Sequence, residues 1–203
     1  FKHLSLIVEN KIAHLTINRP AKANSMNEES WNELKQALDY CDDTPEVRVI
    51  VFSGAGDKLF CAGIDLQMLM SVGQKTEDKC EGRKREKFRK LLLDFQEIIS
   101  TFEKISKPVL SAVHGGCIGA GLDMISATDM RYCTADAYFC IKEIDLGMVA
   151  DIGTLQRLPK IIPDGLAREL AYTGRNLTAD EALKCGLVNK VFDDKETMLK
   201  EVT

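Results

Sequence analysis

Two glycine-bearing turns hold the backbone groups in this sequence that could do chemistry. The first, His114-Gly-Gly-Cys-Ile-Gly-Ala-Gly-Leu-Asp123, leaves an apolar stretch and enters what reads as a helix beginning near Gly119. Glycines there let the backbone approach a ligand, and unpaired N–H groups at a helix start attract negative charge. It is not a dinucleotide fingerprint, because Met124 stands where the third glycine should be, and a phosphate loop would need Gly-Lys-Ser/Thr. Taken alone, the turn reads equally well as an oxyanion site or as a tight structural bend. The second turn, Phe60-Cys-Ala-Gly-Ile-Asp65-Leu, also follows an apolar strand candidate. A parallel sheet would bring both turns to one carboxyl edge, where two N–H donors could converge on a developing enolate.

Downstream, Glu143 and Asp151 sit among apolar residues in the segment Ile141 to Leu158. Carboxyl groups in dry surroundings titrate high, a neighbouring carboxylate raises them further, and such groups exchange protons near neutral pH. The competing reading makes Glu143 and Asp145 solvated loop residues and Asp151 the cap of the short helix that follows. His114 reads as a turn or core histidine, and the charged run Glu81 to Lys90 as a solvated helix start. Met68 and Met70 either line an apolar tunnel, for which flexible side chains are suited, or pack in the core.

The elements that must position these groups follow from periodicity. Leu4 to Glu9 and Ile12 to Asn18 read as a hairpin turning at Asn10-Lys11. Asn27 can cap a helix whose first turn carries Glu28 and Glu29 and whose apolar face repeats at Trp31, Leu34 and Leu38. Val47 to Ser53 and Val109 to Val113 are apolar and rich in β-branched residues, as strands covered on both faces are. Between them Phe88, Leu91, Leu92, Phe95, Ile98, Ile99, Phe102 and Ile105 trace one long amphipathic helix, so the pair of strands implies a parallel crossover. Tyr138 to Ile141 and Leu187 to Phe192 read as strands, and Thr178-x-x-Glu181 as a capping box for a helix stopped by Gly186.

Composition narrows the class. A net charge of -4 supplies no broad basic face for phosphates, which argues against a nucleic-acid binder. Seven cysteines without a C-x-x-C spacing point to neither a disulfide framework nor a zinc site. No apolar run approaches the roughly 20 residues of a membrane span, so membrane insertion is not expected. No repeat or linker divides the chain, and one α/β domain over residues 1–203 is the economical reading.

Taken together, Asn18-Arg-Pro20, Cys61-Ala-Gly-Ile-Asp65, the glycine turn from His114 to Asp123, and Gly153-Thr-Leu-Gln-Arg-Leu158 resemble the crotonase (enoyl-CoA hydratase/isomerase) superfamily in order and spacing, over essentially the whole chain. The resemblance implies an α/β crotonase-like spiral of ββα units. It implies an acyl-CoA substrate, no cofactor beyond the coenzyme A that the substrate carries, and no metal. By the same resemblance, the oxyanion hole is made by the N–H groups of Ile64 and Ala120, the latter standing where glycine is usual. Lys22, Ala23, Ser25, Ala62, Gly63, Ile64, Asp65, Leu66 and Ala120 would hold coenzyme A and substrate. Hydratases of the family carry glutamate at the positions of Asp123 and Glu143 and glycine at that of Asp151. The trio Asp123, Glu143 and Asp151 therefore looks like the Δ3,5-Δ2,4-dienoyl-CoA isomerase branch, with Glu143 and Asp151 as the acid/base pair and Asp123 tuning it. An enoyl-CoA hydratase or monoene isomerase is the alternative within enzymes, and a catalytically silent binding or scaffold protein the alternative outside them. Family members continue past Thr203 into helices that build trimers or hexamers, so the C-terminal helical part is expected to be missing, a homotrimer or homohexamer is expected of the full-length protein, and a mitochondrial or peroxisomal location is implied.

Overall fold

A computed structural model describes all 203 residues. Strand β1 (Leu4–Glu9) and β2 (Ile12–Ile17) form the expected antiparallel hairpin. Its two turn residues, Asn10 and Lys11, are both left-handed at φ +51° and +69°, the geometry that matches the twist of flanking strands. Strands β3 (Val49–Gly54), β5 (Val109–Val113), β7 (Met130–Thr134) and β10 (Lys190–Phe192) continue this sheet in parallel. The resulting order is β1-β2-β3-β5-β7-β10. Every residue of β5 is buried, as its unbroken apolar character requires.

After each of three central strands the chain bends sharply into a short second strand. Strands β4 (Leu59–Cys61), β6 (Gly116–Ile118) and β8 (Tyr138–Cys140) follow β3, β5 and β7 and pair in parallel with one another. A two-residue strand β9 (Leu177–Thr178) closes this smaller sheet, antiparallel to β8. Long strand, bend, short strand and helix thus recur three times, which is the ββα spiral that the resemblance implies.

Helix α1 (Glu28–Asp43) starts as read, with Asn27 accepting from the Ser30 amide at 2.9 Å and Trp31, Leu34 and Leu38 buried. Helix α2 (Leu66–Lys75) and the 24-residue α3 (Glu81–Lys104) link β4 to β5. Helices α4 (Ala120–Ser126) and α5 (Thr154–Arg157) flank the acidic segment, and α6 (Asp164–Thr173), α7 (Ala179–Cys185) and α8 (Lys195–Val202) complete the chain. The capping box on α7 is present as predicted. One apolar cluster joins both sheets to α1, α3, α4 and α7, while Met198 of α8 covers the opposite sheet face against Val51, Ala112 and Phe192. No helix is long and apolar enough to cross a membrane.

One reading needs correction, and several elements leave no mark in the sequence. Leu187 to Phe192 is strand only from Lys190, because α7 ends in the Gly186 left-handed turn and the Val188 amide still bonds back to Ala182 O. The short strands β4, β6 and β9 carry no periodic signal, being too brief to show alternation. Strand β7 and helices α2 and α6 were likewise not foreseen.

The bend between β5 and β6 rests on Gly115, at φ +54°, where an added Cβ would fall 2.1 Å from Lys58 O. Gly115→Ala is expected to cost roughly 2–3 kcal/mol, measured by urea unfolding, since both backbone strain and a clash with main chain must be relieved.

Candidate active site

Parallel pairing of β4 with β6, Cys61 opposite Cys117, carries the two glycine turns out of adjacent strand ends. Their closeness is measurable, because a Cβ built on Gly63 would lie 3.0 Å from Ile118 O and 3.6 Å from the Ala120 nitrogen. The bridge between Met26 and this turn uses Gly63 O and the Asp65 amide, leaving the Ile64 N–H without a backbone acceptor. Ala120 is the first residue of α4, whose initial N–H groups have no partner inside the helix. Both residues border a groove of about 510 Å³.

Of the residues expected to hold coenzyme A, Lys22, Ser25, Ala62, Gly63, Ile64, Asp65, Leu66 and Ala120 line that groove. Ala23 does not; it stands behind the wall, its carbonyl accepting from the Ala62 amide at 3.0 Å. The loop is stiffened by Asn24, buried and left-handed at φ +52°, whose amide donates to Ala55 O and Leu59 O. Asp65 pairs with Arg19 at 3.2 Å and caps α2 through the Gln67 amide. Burial works to raise the Asp65 carboxyl, but the hydrogen bonds from Arg19 and from the Gln67 and Met68 amides hold it below its ordinary value. The sequence reading missed Lys142, which lines the groove opposite Lys22 and is paired with Asp145.

A second cavity, about 200 Å³ and almost wholly apolar, opens from the same point. It shares Ile64, Ala120, Glu143 and Met148 with the groove, so the two spaces meet at the free N–H pair. Leu69 and Val72 of α2 face Phe88, Leu92 and Phe95 of α3 across it. Met68 and Met70 do not line it: Met70 is 80% exposed, and Met68 packs in the core, next to a polar cleft beside Arg19 and Asn27. The apolar stripe of the amphipathic helix α3 divides into two parts. Its C-terminal part, Ile98 to Phe102, is core, but no residue before Ile98 is buried, and Phe88 to Phe95 wall the cavity instead.

Of the acid trio, two carboxyl groups border these spaces, and the third, Asp123, lines neither. Glu143 sits in both spaces, its Oε1 3.0 Å from where a Cβ on Gly119 would stand and its buried Oε2 unpaired. Asp151 borders the apolar cavity but not the groove. Burial raises both, and the charge of Asp151 raises Glu143 further. Asp123 is fully buried; Oδ1 accepts from the Thr154 amide at 2.7 Å and Oδ2 has no partner. Burial pushes it up to about 7, the hydrogen bond from Thr154 opposing and the charges of Glu143 and Asp151 adding.

The capping alternative for Asp151 fails, since Gly153 is the N-cap of α5, without a side-chain bond, and Asp123 is the carboxyl that meets the first amide of that helix. Asp145 is exposed, as the solvated reading had it. His114 is a buried histidine away from both spaces, pushed down to about 4 by burial and then by the Lys195 charge.

A spiral of ββα units with two free backbone N–H groups where a groove meets an apolar cavity, and with raised carboxyls beside them, is the arrangement of a crotonase-type protein. Residues 8–203 match the family described as Enoyl-CoA hydratase/isomerase, and the chain belongs to it. It is 45% identical to the peroxisomal Delta(3,5)-Delta(2,4)-dienoyl-CoA isomerase of Arabidopsis thaliana, over 100% of this chain and 74% of that protein. It is 46% identical to the mitochondrial Delta(3,5)-Delta(2,4)-dienoyl-CoA isomerase of Homo sapiens, over 93% of this chain but 57% of that protein. Among solved structures, an enoyl-CoA hydratase/isomerase from Marinobacter aquaeolei superposes with a TM-score of 0.88 at 28% identity, covering 100% of this chain and 74% of that one.

The Asp123 carboxyl is raised on folding, so its protonated form stabilises the fold below the unfolded carboxyl range and that contribution is lost as pH climbs through about 7. Asp123→Asn keeps an acceptor for Thr154 without the charge. Its stability relative to wild type is expected to grow by on the order of 2 kcal/mol between pH 4 and pH 8, read from urea unfolding at both ends.

Proposed function

We propose that this protein isomerises 3,5-dienoyl-CoA to 2,4-dienoyl-CoA in the β-oxidation of unsaturated fatty acids. The observation that carries the reading is the placement of two raised carboxyls at different positions along one path. Glu143 stands where groove and cavity meet, and Asp151 borders the apolar space beyond. The relatives named as dienoyl-CoA isomerases support the same reading.

In this mechanism the thioester oxygen lies between the N–H groups of Ile64 and Ala120, coenzyme A follows the groove past Lys22, Ser25 and Ala62 to Leu66, and the acyl chain enters the apolar cavity. One carboxylate of the Glu143 and Asp151 pair removes a proton from C2. The electrons spread through the diene onto the thioester oxygen, where the two N–H donors stabilise them; such donors are each worth roughly 10²–10³ in rate. The other member, whose protonated form burial favours, delivers a proton to C6. Double bonds move from C3 and C5 to C2 and C4, no water is added, and nothing is oxidised. The two carboxyls end with exchanged protonation and reset through solvent. Asp123 tunes the pair by its charge and holds the Thr154 end of the segment that bears Asp151. The chemistry needs no cofactor beyond the coenzyme A of the substrate. A mitochondrial or peroxisomal site and a trimeric or hexameric full-length assembly belong to the same proposal.

Assayed on the full-length protein, a 3,5-dienoyl-CoA is expected to yield the ultraviolet absorbance of a conjugated 2,4-dienoyl thioester, with little hydration of a 2-enoyl-CoA. Glu143→Gln and Asp151→Asn are each expected to lower turnover roughly 10²- to 10⁴-fold with unchanged circular dichroism. Near-normal turnover in both variants would sink the assignment of the pair, and efficient hydration without diene conversion would move the protein to the hydratase branch.

A further inference from the structure

Helix α3 has a second working face beside the one that walls the apolar cavity. Gln96, Ser100 and Glu103 recur at steps of four and three and so share one side of the helix. That side grips the segment carrying Asp151. The Gln96 side-chain amide donates to the Asp151 carbonyl at 2.7 Å, and no backbone N–H bonds that oxygen. Six residues on, Arg157 reaches back to Ser100 Oγ at 3.2 Å and Glu103 Oε2 at 2.5 Å. Its guanidinium passes directly beneath Gly153, at φ +141°, where an added Cβ would fall 1.8 Å from Nη1. From the opposite side Asp123 holds the Thr154 amide. Arg157 and Asp123 therefore fix the segment at Gly153 and Thr154, and Gln96 alone fixes it at Asp151 itself.

We propose that Gln96 is a positioning residue that sets the direction of the Asp151 carboxyl by anchoring its own carbonyl; this rests on the isomerase reading, in which Asp151 handles a substrate proton. An aspartate carboxyl hangs one carbon from the backbone, so rotating the peptide plane displaces it directly. A polar cleft of about 280 Å³ lies behind the segment, lined by Gln96, Ser100, Arg157 and Lys160. Without the Gln96 bond the Asp151 peptide has room to turn toward that cleft and away from the acyl chain. Displacements on the scale of 1 Å between a catalytic group and its target cost up to about 10²-fold in rate.

The test compares wild type, Gln96→Leu, which removes the donor at similar volume, and Gln96→Lys, which restores an N–H donor on a longer stem that the cleft can admit. Steady-state rates with a 3,5-dienoyl-CoA are measured from pH 5 to pH 9, alongside thermal unfolding. Expected for Gln96→Leu is a fall in kcat of roughly 10- to 100-fold with KM within about two-fold, a displaced pH profile and an unfolding midpoint close to wild type. Gln96→Lys is expected to regain most of the lost kcat. Wild-type kcat and pH profile in Gln96→Leu would overturn the proposal, as would a loss shared by kcat, KM and the unfolding midpoint that lysine does not relieve. A wild-type protein inactive on the diene would instead overturn the isomerase reading, since the variants are compared only against a working enzyme.

Discussion

Everything at the candidate site depends on the pairing of two three-residue strands. β4 and β6 lie side by side and parallel, and that pairing brings the turns bearing Ile64 and Ala120 together at the border of groove and cavity. Strands so short cannot hold register by themselves. Their alignment is imposed by the longer strands β3 and β5 behind them, through the bend at Gly115, and by the loop before α1, where Arg19, Asn24 and Asp65 lock the first turn from outside. The two backbone donors that the proposed mechanism uses are thus positioned by the central sheet, with no side chain of their own involved.

The carboxyls carry the opposite energetic sign. Asp123 is fully buried and Glu143 and Asp151 partly so; burial opposes the ionisation of all three, their mutual repulsion adds to it at Asp123 and Glu143, and the protein folds in spite of that group. Asp123 shows how the cost is contained, because its one satisfied oxygen starts helix α5 in place of a conventional cap. The same carboxyl serves the start of a structural element, so the local rule broken at Asp123 is offset by a backbone amide that would otherwise lack an acceptor.

Much of this was legible in the sequence where a local rule acts on consecutive residues. The hairpin, the Asn27 cap, the buried strands and the capping box at Thr178 each depend on neighbours in the chain. Unbroken apolar runs gave β3 and β5, and the glycine spacing marked both turns. What stayed hidden depends on contacts between distant segments. Strand β6 is three residues inside a glycine turn and acquires its identity only from β4 and β8. The α3 stripe looks the same whether Phe88 packs against protein or faces a space, because helical periodicity records which side is apolar and not what lies opposite it. The alternatives open for Met68 and Met70 divide for a related reason: the rotation of α2 turns Leu69 and Val72 toward the cavity, packs Met68 into the core and leaves Met70 in solvent.

Helix α3 joins two tasks on one rigid body. Phe95 lines the apolar cavity, and its immediate neighbour Gln96 holds the peptide of Asp151. In the proposed mechanism the remote, unreacting end of a long acyl chain would therefore press on the same element that aims the acid. Affinity gained along the tail can be expressed as rate at the carboxyl group, in the way that binding energy far from a reacting bond is converted to turnover. In such an enzyme short substrates are handicapped less by weak binding than by slow chemistry once bound.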